Sequence, residues 1–150
     1  MAEIVDERRG RRVGIAGHPY SALFLPVPIV CFTGALITDL AYVNSGGNLL
    51  WLNFSCWLLL AGLLFAVIAG ILMLVDLARL PQLRTNIGWG SFGLLAGAGV
   101  IEFINSLIHA RDGWTAVVPA GLILSAIGAI VVMSHGWLWH ESRYGPGVRA

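Results

Sequence analysis

Four long apolar runs constrain this chain more than any motif does. They lie near residues 22–43, 52–76, 87–109 and 115–139. A helix rises about 1.5 Å per residue, so each run is long enough to cross a hydrocarbon layer about 30 Å thick. Lipid offers no water to satisfy an open backbone, so runs of this kind must be helical. Composition excludes the soluble alternative: 57% of the residues are hydrophobic and only 11% are charged, against about 25% charged in ordinary globular domains. The expectation is an all-α integral membrane protein, a four-transmembrane-helix bundle. Residues 17–140 form the membrane domain, between a basic tail at 1–16 and a second tail at 141–150.

Arginine sets the orientation, because the chain has no lysine. Arg8, Arg9, Arg11 and Arg12 precede the first run, Arg79 and Arg84 fall in the 77–86 loop, and Arg143 and Arg149 lie in the last tail. The 44–51 loop has none, and Arg111 sits beside Asp112. Short loops rich in arginine mark the cytoplasmic side, which places both termini inside a bacterial inner membrane. The "RRGRR" tail resembles an export signal, but no small-residue cleavage site follows it, so the first span is expected to be retained.

The entry to that span, "GHPYSALFLPVPI" at 17–29, is rich in proline. Proline at a helix start is cheap, whereas Pro26 and Pro28 lie deeper and remove intrahelical hydrogen bonds. A proline-kinked helix start is expected, with a re-entrant segment before a span beginning near Val27 as the alternative.

Two halves of the chain resemble one another. "AGLLFAVIAGILMLVD" (61–76) aligns without gaps on "AGLILSAIGAIVVMSH" (120–135), and "GALITDL" (34–40) on "GAGVIEF" (97–103). Asp76 thereby falls on His135 and Asp39 on Glu102. The reading is of two tandem helical hairpins related by a pseudo-two-fold axis along the membrane normal. Rows of small residues (Gly62, Ala66, Gly70; Gly93, Gly97; Gly121, Ser125, Ala129) are expected to bring helix backbones close. On the helical wheel Asp76 shares the face of Gly62 and Ala69 and should point inward.

Ionisable groups within spans cost about 2.5–3.5 kcal/mol each on insertion, so they are candidate functional residues. Asp39, Asn53, Glu102, Asn105 and His109 form an outer layer; His18, Asp76, Arg79, His135, His140, Glu141 and Arg143 form a cytoplasmic one. Glu102, Asn105 and His109 are spaced to share one helix face, and Glu102 should bond Asn105 or polar groups of the first two helices. Asp39, Arg79, His109, His140 and Glu141 lie near enough to span ends to reach interfacial water.

His18 and His135 have comparable depth on the first and fourth helices. They are the candidate cofactor-binding residues, for haem b or a quinone, with His18 expected near His135 and Asp76. No HExxH, CxxC or CxxCH pattern supports a metal site. No catalytic constellation, phosphate-binding loop or nucleic-acid motif occurs in the sequence. Cys31 and Cys56 differ too much in depth for a disulfide.

The His-Pro entry, Asp39 closing the first span, Asp76 closing the second, and Gly136-Trp137-Leu138 followed by "GPGV" resemble a bacterial family of four-span inner-membrane proteins of unknown function. The resemblance runs from about Gly17 to Val148, and His18, Pro19, Pro28, Asp39 and Asp76 match its pattern. Trp139-His140 departs from it where members usually carry a glycine pair. Some relatives are fused to Rieske-type ferredoxin domains, which implies electron-transfer company.

Two functional classes follow. One is a non-enzymatic accessory or anchoring subunit beside a redox or energy-transducing membrane protein, or a homo-oligomer. The other is an active membrane site, either a haem or quinone pocket at His18 and His135 or a proton or ion pathway through Glu102 and Asp76. Tryptophans 51, 57, 89, 114, 137 and 139 suit either class, since aromatic belts are general.

Overall fold

The computed structural model describes residues 19–111 and 117–144, with side chains as far as Glu141. A short helix α1 (Ser21–Phe24) leads into α2 (Pro26–Asn44). Then come α3 (Leu49–Arg79), a 3₁₀ turn (Pro81–Leu83), α4 (Asn86–His109), a π turn (Val117–Gly121) and α5 (Leu122–Tyr144). Four stretches are long and apolar enough to span a membrane: Ser21–Asn44, Leu49–Arg79, Asn86–His109 and Val117–Glu141.

The entry is a helix with a proline start inside it. Leu25, between α1 and α2, keeps right-handed helical angles (φ −57°, ψ −34°), and its N–H donates to the Ser21 carbonyl at 3.0 Å. Pro26 and Pro28 remove the N–H groups that would bond the Ala22 and Phe24 carbonyls. The backbone nevertheless continues in one direction, so the first span begins at Ser21 and not near Val27.

Each span packs on two others in cyclic order: α2 on α3, α3 on α4, α4 on α5, and α5 back on α2. This is the symmetric packing of two tandem hairpins. Polarity is inverted relative to a soluble protein. Trp137, Val30 and Ile130 are 75%, 68% and 65% exposed, while Asp39, Asp76, Glu102, Asn105 and His135 are buried. In lipid this is the low-energy arrangement, because apolar side chains lose nothing by facing outward and polar ones find partners only within the bundle.

The middle of the bundle is apolar. Phe32, Leu59, Ala69, Met73, Leu95, Ala98 and Val132 fill it. Close approach within each hairpin depends on glycine. A Cβ on Gly62 would strike the Phe32 ring, and one on Gly121 would come 2.9 Å from the His109 ring. These glycines are equivalent in the internal repeat, and each receives a ring from the partner helix of its own hairpin. Gly93 and Gly97 differ from the expectation. A Cβ on either would meet nothing within 4 Å, so that row does not serve helix contact.

At the end of α3, Arg84 Nε donates to the Leu77 carbonyl at 2.7 Å, and its Nη2 donates to the Ala78 carbonyl. One side chain thus satisfies two carbonyls of the last helical turn, where a cation also complements the helix dipole. Thr85 then caps α4 by accepting from the Gly88 N–H at 3.1 Å.

Candidate functional site

Asp39 is the hub of the outer polar layer. Its Oδ1 accepts from Ser55 Oγ on α3 at 2.5 Å and lies 3.0 Å from His109 Nε2 on α4. Its Oδ2 accepts from Ser125 Oγ on α5 at 2.5 Å. One carboxylate on α2 therefore bonds all three other spans. The expectation that Asp39 and His109 reach interfacial water is overturned, since both are buried and bonded to each other. A carboxylate in the bundle gains more from three donors than it would by extending toward the membrane surface.

The geometry also fixes one His109 proton. Nδ1 lies 3.0 Å from the Asn105 carbonyl, an oxygen that can only accept, so Nδ1 carries hydrogen. Nε2 faces the Asp39 carboxyl, 3.0 Å away. His109 and Asp39 thus form a buried, hydrogen-bonded pair. His109 also stands in the last turn of α4, where the helix dipole favours positive charge.

Glu102 lies beside this pair. Asn105 Nδ2 donates to its Oε2 at 2.8 Å and to Ser125 Oγ at 2.8 Å, which links Glu102 to the hub. Glu102 Oε1 and Asn105 Oδ1 have no hydrogen-bond partner among the described residues. The Glu102 carboxyl packs on Gly128 so closely that any Cβ there would collide with it. Thr38 Oγ1 lies 2.6 Å from Ser55 Oγ and completes the layer.

Asp76 and His135, at the other end of the bundle, work separately. Asp76 accepts from the Ser21 N–H at 2.9 Å and the Tyr20 N–H at 3.2 Å. These are unpaired donors at the start of a helix, where an anion is favoured. His135 Nδ1 lies 2.8 Å from the Ser91 carbonyl and 3.0 Å from its hydroxyl. Ser91 Oγ donates in turn to the His135 carbonyl at 3.3 Å. The expected meeting of His18 with His135 and Asp76 falls outside the described residues, as His18 itself does. Asp76 and His135 each bind within their own hairpin.

The two layers are far apart. Ser55 and Asp76 are twenty-one residues apart on α3, about 30 Å along the helix, and the apolar core lies between them. The structure brings Asp39, Glu102, Asn105 and His109 together; it does not join them to Asp76 or His135. Among the described residues no group of three or more His, Cys, Asp or Glu side chains could hold a metal ion. Cys31 and Cys56 are free thiols.

A family model described as "Predicted membrane protein (DUF2231)" matches residues 17–150. The chain belongs to this family. DUF2231 membership and the four apolar spans together make it a multi-pass membrane protein. No curated protein and no solved structure matches it.

Several site residues of this DUF2231 chain escape a reading of the sequence. Ser125 stands in a small-residue row and reads as packing, yet it bonds both Asp39 and Asn105. Ser55, Thr38 and Ser91 sit in apolar runs with nothing to mark them. Their one shared signal is periodicity: Ser55, Leu59, Gly62, Ala66, Ala69, Met73 and Asp76 follow one buried face of α3.

Proposed function

We propose that this chain is a non-enzymatic accessory or anchoring subunit of a bacterial inner membrane, packed beside a redox or energy-transducing partner. Both termini lie on the cytoplasmic side in this reading. The observation that carries it is the Asp39 hub, which ties four spans together at one end while an apolar core separates it from the polar groups at the other. A bundle built this way holds its shape and offers no continuous polar route across the bilayer. The proton or ion pathway from Glu102 to Asp76 loses support for the same reason. The resemblance to relatives fused to Rieske-type domains favours a redox partner over other kinds, by analogy alone.

Purification from native membranes in a mild detergent tests the reading. The expected result is a second membrane protein in fixed stoichiometry. Recovery of the chain alone, or only as a homo-oligomer, would overturn it.

One observation favours a second reading, a small-molecule pocket at His135. Its Nε2 is buried without a partner among the described residues, and the side chain lines a groove of about 270 Å³ between the first and last spans. The residues present do not suit haem b. The groove is small for a porphyrin of four linked pyrrole rings, and His135 supplies the one buried imidazole among its described lining residues. A single ring of the kind a quinone carries is a better match in size.

A further inference from the structure

The His135 groove has a definite hydrogen-bonding polarity, and that polarity selects among ligands. The Ser91 carbonyl can only accept, so His135 Nδ1, 2.8 Å away, must carry the ring hydrogen. A neutral imidazole protonated at Nδ1 presents a bare lone pair at Nε2. That nitrogen has no partner among the described residues, and leaving a buried acceptor unpaired is costly. The rest of the groove is formed by Leu25, Pro26, Ile29, Gly136 and the Trp139 indole, with His140 also lining it.

What would complement such a site is a flat apolar body bearing one O–H or N–H donor. Water is a poor occupant, because it is held well only with two to four polar partners. A metal ion lacks further ligands among the described residues. A single six-membered ring fits, since a cavity of about 150 Å³ already holds benzene.

We propose that the groove binds the head ring of a membrane quinol, whose hydroxyl donates to His135 Nε2. The proposal rests on the pocket reading above and adds to it both the ligand class and the redox form. The reduced ring carries the O–H that Nε2 requires. The oxidised ring has carbonyl acceptors only and would set a lone pair against that of Nε2. His135 thus favours the quinol over the quinone.

Titration calorimetry of the full chain in detergent micelles, with duroquinol under reducing conditions and duroquinone in parallel, tests the form. Duroquinol should bind about tenfold more tightly than duroquinone, the worth of one well-placed hydrogen bond. Nitrogen NMR of the labelled histidines should show duroquinol shifting the His135 Nε2 signal with little change at Nδ1.

His135→Phe also breaks the Ser91 contact and can unfold the bundle, so Ile29→Trp is the decisive variant. It fills the groove without touching a hydrogen bond, and should abolish duroquinol binding in a variant that keeps the helical circular-dichroism spectrum and still unfolds cooperatively. Equal or tighter binding of duroquinone would overturn the proposal, as would duroquinol binding that survives Ile29→Trp. Displacement of duroquinol by phosphatidylglycerol at equimolar amounts would assign the groove to a lipid headgroup and overturn it too. A tightly bound ligand of another class, such as one with a Soret band, would refute the quinol and leave the pocket reading standing. Absence of any ligand shift at His135 would refute both.

Discussion

Asp39 is the residue on which the bundle most depends. It accepts from Ser55 and Ser125 and bonds His109. Its removal leaves an imidazole nitrogen and two hydroxyls buried without this partner. Stranding a buried polar group costs about 1–3 kcal/mol, whereas losing one neutral hydrogen bond costs about 1 kcal/mol. Asp39→Ala strands three such groups and should therefore lower the unfolding free energy in detergent by about 3–5 kcal/mol, and Ser55→Ala by about 1 kcal/mol. Denaturant unfolding followed by circular dichroism measures both. Equal effects of the two substitutions would contradict the hub.

The role of Asp39 was only half legible. The acid and its alignment with Glu102 stand out in the sequence, but a residue one turn from a span end reads as reaching for water. Its burial depends on donors from three other helices, and no local pattern in the chain declares them.

At the level of elements, the two hairpins close in the same way. Gly62 receives the Phe32 ring and Gly121 receives the His109 ring, so equivalent glycines each admit a ring from the partner helix, and in the second hairpin Gly128 lets Glu102 approach closer still. Gly62→Ala should push the first two spans apart, because the Cβ meets an aromatic ring whose other side is core. A loss of about 1–3 kcal/mol is expected from such overpacking. Gly97→Ala, with open space around it, should be neutral or slightly stabilising, since alanine is the better helix former. Thermal melts of the two variants in one detergent compare them directly, and equal destabilisation would sink this account. The sequence shows all these glycines alike in small-residue rows. Which row is a contact depends on the rotation of each helix about its axis, which packing decides.

At the scale of the whole molecule, the start of the first span and the end of the second meet, with Asp76 binding the Tyr20 and Ser21 N–H groups. The end that carries Arg79 and Arg84 is therefore also the end where the chain enters the bundle. Arginine-rich short loops stay in the cytoplasm, so reporter fusions at the two termini should both give cytoplasmic signals. A periplasmic signal from either end would reverse the proposed orientation, and opposite signals would contradict four spans.

The sequence by itself determined the solvent, the number of spans and the internal repeat. Each is written in local composition: twenty apolar residues cross lipid whatever their neighbours are, and two similar hairpins fold alike. Only the tertiary structure decided that Asp39 is a hub, that His109 bonds it, that Asp76 holds the entry of the first span and that His135 turns to Ser91. Each of these bonds joins residues distant along the chain, from sixteen positions apart for Asp39 and Ser55 to eighty-six for Asp39 and Ser125. In lipid a polar side chain must find its partner inside the bundle, and which partner it finds is set by how four helices rotate and settle against one another.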